Sequence, residues 1–344
     1  MWFSSCGPGE AGSEAGSDSV SAVLRAPPPP PADWVPLIGE YATETDTLSL
    51  LEDNQSLFVL FWKGGGQELE AVDDSTFRMT QNNGMLTVRW VENSVLRPES
   101  AGGSTGSVQE LVIGTQSFQR LRLGAADGET FRITPVRDPE HLRAEALAAV
   151  PPEEEGEFLP SDLVELVRLD PTIRMDIRYA STNNFMGEVF YSSPRAFLQR
   201  PAAEAVVRAH RWLNEQGYGL LIHDGYRPWY VTKMFWDATP EHLKDFVADP
   251  ASGSRHNRGC AVDLTLFDLD TGEPVIMPAG FDEMTPRSSA DYPGGTTRQR
   301  WYRKLLRDAM EAEGFTVYPG EWWHFDYQDW RSYRIENQVF EEIG

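Results

Sequence analysis

The pattern of apolar and polar positions divides the chain into two unlike halves. Between residues 33 and 135 the apolar residues come in short runs rich in β-branched and aromatic side chains, at residues 57–62, 86–90, 111–113 and 131–133. Within them Leu86-Thr87-Val88-Arg89-Trp90 alternates with period two, the mark of a half-buried strand. Gly64-Gly65-Gly66, Asn82-Asn83-Gly84 and Gly102-Gly103 punctuate the runs as turns. This half predicts a small antiparallel β-barrel or sandwich of about 100 residues. From about residue 200 the period lengthens. Ala202, Ala205, Val206, Ala209 and Leu213 share one face of a helix over residues 200–216, with Gly217 at its C-terminal cap. Residues 220–222 read as a buried strand. In residues 259–267, Ala261, Asp263 and Thr265 alternate with Val262, Leu264 and Leu266 as in a second strand. A further helix spans residues 297–313, ending before Gly314. Strands and helices mix without a repeating βαβ order, so this half is α+β.

Two stretches stand outside this pattern. Residues 1–32 are low in complexity and end in Pro27-Pro28-Pro29-Pro30-Pro31, a stiff spacer. They are expected to be a disordered tether, because they cannot bury enough apolar surface to offset the entropy of ordering. Residues 139–162, centred on Pro151-Pro152-Glu153-Glu154-Glu155, read as a linker. The expected division is a β-domain at 33–138 and a second domain at 163–344, with a fragment from about residue 158 able to fold alone.

The net charge of −23 belongs mainly to residues 1–162, which carry −16 of it. Such a chain lacks the Lys/Arg excess that displaces counterions from phosphates, so nucleic acid is excluded as a partner. Oligomeric state stays open. No run of 18 apolar residues is available to span a bilayer. The two cysteines, Cys6 and Cys260, cannot build a disulfide framework or a thiolate cluster. Cys260 lies in an apolar run and reads as a buried small residue. Phe3-Ser4-Ser5-Cys6-Gly7 has the form of the end of a lipoprotein signal, but no charged and apolar regions precede it. A membrane tether through a lipidated Cys6, with location in a bacterial envelope, and a chance match in a cytoplasmic protein both stand.

Six histidines occur, and two have unusual surroundings: His256, in Ser254-Arg255-His256-Asn257-Arg258-Gly259, and His324, in Glu321-Trp322-Trp323-His324. Asp263 falls within a buried strand, where a carboxylate needs a metal, a charge partner or several donors. Two histidines and a carboxylate around an open fourth position form a common catalytic zinc set. Glu321 lies three residues before His324. A regular strand would send the two to opposite faces, so a bend at Trp322-Trp323 is required if Glu321 is to serve as base. The two tryptophans would then line the pocket. Arg227, between a Gly turn and a Pro, could face an oxyanion or be a surface residue pairing with Asp224.

These segments resemble the D-alanyl-D-alanine dipeptidases, a family of zinc peptidases. The resemblance rests on Asp176-Ile177-Arg178-Tyr179-Ala180, Asp224-Gly225-Tyr226-Arg227-Pro228, the His256 stretch with Ala261-Val262-Asp263-Leu264-Thr265-Leu266, and Glu321-Trp322-Trp323-His324. It covers about residues 163–336. It implies an α+β zinc peptidase domain with one Zn²⁺ per chain on His256, Asp263 and His324, Glu321 as general base and proton shuttle, and Arg227 stabilising the transition state. It also implies Asp282 as the group that contacts the free amine of a small D,D-dipeptide, against the plainer reading that Asp282 caps the turn after Pro278-Ala279-Gly280. Tyr179 and Trp323 join Asp282 as substrate-binding candidates. The alternatives are a peptidoglycan D,D- or L,D-carboxypeptidase on the same fold, a non-catalytic cell-wall-binding module, and a purely structural zinc. The first half lies outside the resemblance. From Ile38-Gly39-Glu40-Tyr41 through Phe77 to Phe118-Gln119-Arg120 it is loosely similar to lipocalin-like domains.

Overall fold

The structure is a computed structural model that describes residues 23–92, 106–123 and 130–343. Cys6 and the Gly102-Gly103 turn lie outside these residues. Eight strands follow one another in an up-and-down closed barrel: β1 (Gly39–Ala42), β2 (Thr47–Asp53), β3 (Ser56–Phe61), β4 (Gly66–Ala71), β5 (Thr76–Met79), β6 (Met85–Glu92), β7 (Gly106–Ile113) and β8 (Gln116–Arg120). The ring closes where Tyr41 of β1 pairs with Arg120 of β8. Alternate positions point inwards, as the period of two requires: Leu48 and Leu50, Leu57 and Val59, Leu86 and Val88 are all nearly or wholly buried. Together with Tyr41, Phe77, Met79, Leu111 and Phe118 they form one apolar cluster inside the ring. The alternatives of barrel and sandwich are thus resolved to a closed barrel.

The second half is built on a five-stranded mixed sheet in the order β10-β12-β13-β15-β14. Its strands are β10 (Arg174–Met175), β12 (Tyr218–Asp224), β13 (Ala261–Asp268), β14 (Phe315–Val317) and β15 (His324–Tyr327). A small pair, β9 (Leu163–Glu165) with β11 (Phe197–Gln199), stands beside it. The helices are α1 (Pro139–Ala148), the single turn α2 (Leu166–Leu169), α3 (Arg200–Glu215), α4 (Trp229–Ala238) and α5 (Thr297–Ala312). The apolar stripe of α3, from Ala202 to Leu213, is buried. Against it lies the interior of β12 and β13, where Leu220, Ile222, Val262, Leu264 and Leu266 are wholly covered.

Three segments differ from the sequence expectation. Residues 139–162 are part of the second domain's body, not a linker. Asp138 caps α1 by accepting from the backbone of Glu140 and His141, and Leu142 and Ala146 enter the main core. Glu154 ion-pairs with Arg258 at 2.6 Å and accepts from Ile335 N at 2.7 Å. Residues 131–133 form no strand of the barrel. Phe131 and Ile133 pack on the second domain, where Ile133 N donates to Phe185 O at 2.9 Å. Of the expected tether, residues 23–32 lie along the folded body: Leu24 N donates to Gln216 Oε1, and Gln55 Nε2 donates to Pro29 O. Extended, proline-rich chain is ordered here because its few backbone groups find partners on both halves.

The two halves meet through carboxylates of the barrel. Glu52 at the end of β2 accepts from Thr297 N at 2.8 Å and from Thr297 Oγ1 at 3.2 Å. It thereby supplements the capping box that Thr296 and Gln299 already form at the start of α5. Asp53 accepts from Arg300 at 2.7 Å. Glu40 of β1, itself buried, lies 3.2 Å from the buried guanidinium of Arg287.

Candidate active site

The sheet register creates the site. Asp224 on β12 pairs with Asp263 on β13, and Asp263 pairs with His324 on β15, so the three residues form one row across neighbouring strands. A bulge between Ile222 and Asp224 shifts the end of β12 at this row. His256 joins from a short 3₁₀ turn, His256–Arg258, that ends at Gly259 with φ 67°. This left-handed position favours glycine and reverses the chain into β13. Gly225 allows a close approach: a Cβ there would stand 2.8 Å from Phe197 O.

His256 Nε2, His324 Nδ1 and Asp263 Oδ1 converge, with separations of 3.1, 3.0 and 3.3 Å. All three side chains are buried. The outer ring nitrogens are committed elsewhere: His256 Nδ1 donates to Gly225 O at 2.7 Å, and His324 Nε2 donates to Asp326 Oδ1 at 2.9 Å. These bonds direct the inner nitrogens' lone pairs at each other and at the carboxylate. Three convergent acceptors repel unless a cation lies among them. Zinc bonds of 2.0–2.2 Å in a tetrahedron give donor–donor edges of about 3.3–3.6 Å, so the cluster needs to open by only a few tenths of an ångström to take the ion. The donor set and its outer partners fit zinc, and no other group of this kind was found among the described residues. A proton can also play the cation's part: burial opposes charge on His324, but the hydrogen bonds to Asp263 and Asp326 outweigh it and push the ring up to about 10. Asp263 is also desolvated, yet the two histidines hold its carboxyl well below the usual range.

Around this cluster the chain places the other candidates in one cleft of about 130 Å³. Trp322 and Trp323 form a turn in which His324 N donates to Glu321 O at 3.3 Å. That turn sets Glu321 Oε2 3.8 Å from His324 Nδ1. Burial raises the Glu321 carboxyl to about 7, with the charge of His324 pulling it down and that of Asp263 pushing it up. Arg227 is buried, not at the surface. Its Nε and Nη2 both bind Asp224 Oδ2 at 2.9 Å, and Nη2 lies 3.6 Å from Asp263 Oδ2. Asp224 is itself fixed by Tyr191 Oη and Gly225 N. The pairing with Asp224 therefore orients Arg227 towards the cleft.

Asp282 sits at φ 56°, a strained position for a side-chain-bearing residue. Its carboxylate accepts from Tyr179 Oη at 2.8 Å. The turn cap is its neighbour: Glu283 Oε2 accepts from Gly280 N at 3.1 Å. Burial, and then the charge of Asp263, hold the Asp282 carboxyl well above its ordinary value, so a cation beside it would be welcomed. Trp323 is buried against Phe281, ring centres 5.5 Å apart, and borders the cleft as Tyr179 does. Sequence reading missed Asp326, Phe235 and the span from Asp245 to Ala248, which also line or brace the site. Asp326 was within reach of a period-two reading, two residues beyond His324 on the same strand face; the others carry no such signal.

The comparisons with known proteins agree on the second half. The family described as D-ala-D-ala dipeptidase matches residues 160–342. The D-alanyl-D-alanine dipeptidase of Escherichia coli (strain K12) is 36% identical over 175 residues, which is 51% of this chain and 89% of that protein. The enzyme of the same name from Enterococcus faecium is 38% identical over 178 residues, 46% of this chain and 87% of its own length. One from Streptomyces coelicolor (strain ATCC BAA-471 / A3(2) / M145) is 35% identical over 171 residues.

Proposed function

Since the chain belongs to the D-ala-D-ala dipeptidase family and is a peptidase of that kind, we propose that it hydrolyses D-Ala-D-Ala and similar short D,D-dipeptides with one zinc ion held by His256, Asp263 and His324. The observation that carries this reading is the convergence of three acceptor atoms within hydrogen-bonding distance of one another, beside a desolvated Glu321. A zinc ion held by His256, Asp263 and His324 would supply Lewis-acid polarisation of the scissile carbonyl and a more acidic water. Glu321, whose Oε2 lies 3.8 Å from His324 Nδ1 at the edge of the cluster, would take the proton from the attacking water and return it to the leaving amine. Arg227, held by Asp224, donates to the oxyanion that develops on the carbonyl oxygen. Asp282, steadied by Tyr179, takes the substrate ammonium.

The cleft, of about 130 Å³, is of a size for a small substrate. The test is product release from D-Ala-D-Ala and from its N-acetyl form by the zinc-loaded protein. Cleavage of the free dipeptide with at least tenfold preference is expected, since a site built round a charge penalises the analogue that leaves it unpaired. Equal cleavage of both would favour a carboxypeptidase, and cleavage of neither would reject the proposal.

A further inference from the structure

We propose that the β-barrel is a working part of the peptidase, and that Glu40 is a positioning residue which, through Arg287, holds the loop carrying Asp282 in its substrate-reading shape. The inference rests on the reading of Asp282 as the ammonium site and extends it to a domain outside the family match, which begins at residue 160.

The loop from Pro278 to Ser288 is organised round one buried guanidinium. Arg287 Nη2 donates to Pro278 O at 2.8 Å, tying the loop's two ends together. Arg287 Nε lies 3.3 Å from Glu283 Oε1, and Glu283 in turn accepts from Gly280 N and, at 2.8 Å, from Thr285 Oγ1. Ser288 Oγ donates to Glu283 O. Between these tied points sits Asp282, in a backbone conformation that the chain does not choose unaided. Met284, on the other side of Glu283, also borders the cleft.

One more group holds the guanidinium, and it comes from the barrel. Glu40 Oε2 lies 3.2 Å from Arg287 Nη1, and both side chains are more than nine-tenths covered. Glu40 is fixed in turn by the strand ladder, where β1 pairs with β2, and its carbonyl accepts from Leu121 N at 2.8 Å. Arg287 is buried between two carboxylates, Glu283 of its own loop at Nε and Glu40 of the barrel at Nη1, so the docked barrel supplies one of the two groups that fix the guanidinium; removing one partner of such a buried group is costly. The path from Glu40 to Asp282 thus runs through contiguous charge and backbone hydrogen bonds in a segment under local strain.

The experiment uses the full chain with zinc. Glu40→Gln is compared with the unaltered protein and with Glu52→Gln, which loosens the other barrel contact at α5 but not this loop. In Glu40→Gln, KM for D-Ala-D-Ala is expected to rise about tenfold with kcat within about threefold, since small displacements of a positioning group are felt strongly. The preference over N-acetyl-D-Ala-D-Ala should shrink by a similar factor, zinc content should be unchanged, and backbone amides of residues 280–285 should exchange faster. Glu52→Gln should leave KM and the preference unchanged. An unchanged KM in Glu40→Gln, a loss falling equally on both substrates, or an equal effect in Glu52→Gln would each overturn the inference. Asp282→Asn separates the two readings. If it leaves the preference intact, the ammonium role of Asp282 fails, and hydrogen exchange in Glu40→Gln alone decides whether barrel and loop are coupled: faster exchange sustains the coupling and unchanged exchange overturns it.

Discussion

The barrel interior and the peptidase cleft are both enclosed by strands, yet they are opposite in chemistry. Inside the barrel the facing side chains are aliphatic and aromatic and pack against one another. At the end of the β12-β13-β15 row the facing side chains are Asp224, Asp263 and His324, with Arg227 and Glu321 beside them. The first arrangement is stable in itself and has no reactive group to offer. The second concentrates buried charge, which folding tolerates only where partners are supplied, and that concentration is what a reaction can use. Alterations in the two places should therefore report on different quantities.

The largest effect tests where the peptidase ends. A chain beginning at residue 158 loses α1 with Leu142 and Ala146, the Glu154 pair with Arg258, and every barrel contact. It is expected to be insoluble or unfolded by circular dichroism, whereas a soluble, active fragment would show that the charged cleft stands without them. Next in size is His256→Ala. Losing one of three convergent donors should remove zinc and activity together, as elemental analysis would read; full metal retention would reject the assignment. Glu321→Ala should keep zinc and lower kcat by about 10²–10⁴-fold, and a near-normal rate in the zinc-loaded variant would remove Glu321 from the role of base. Smallest for catalysis is Leu50→Ala, inside the barrel. It should cost about 2–5 kcal/mol of stability in denaturant titration while kcat in the surviving folded protein stays within about twofold. A large fall in kcat would mean that the two interiors are not as separable as their chemistry implies.

The same contrast explains what the sequence revealed. The helix over residues 200–216, the strand around Asp263 and the helix from Thr297 carry clean periodicities, and all three are present. The rare histidines and an aspartate set inside an apolar strand pointed to one site because few residue types can do that chemistry. The strap before β9 was obscured by composition: Pro and Glu dominate residues 151–155, although Asp138-Pro139 is a good N-cap and first-turn pair, with Leu142 and Ala146 one helical turn apart behind it. The strand expected at residues 131–133 had the right residue types but joins no sheet; Phe131 and Ile133 pack on the second domain's core, and Ile133 N bonds Phe185 O. Glu40 and Arg287 stand far apart in the chain, and nothing local in either marks the pair; only the docking of the domains creates it.

The contact of Glu52 with the first turn of α5 has a thermodynamic consequence. A helix start completed by a neighbouring domain makes the folding of one domain a condition for the full stability of the other. Anything that binds the folded peptidase alone then also stabilises the barrel by mass action. Titrating zinc into the metal-free chain should raise the melting temperature of the barrel, although none of the proposed ligands belongs to it.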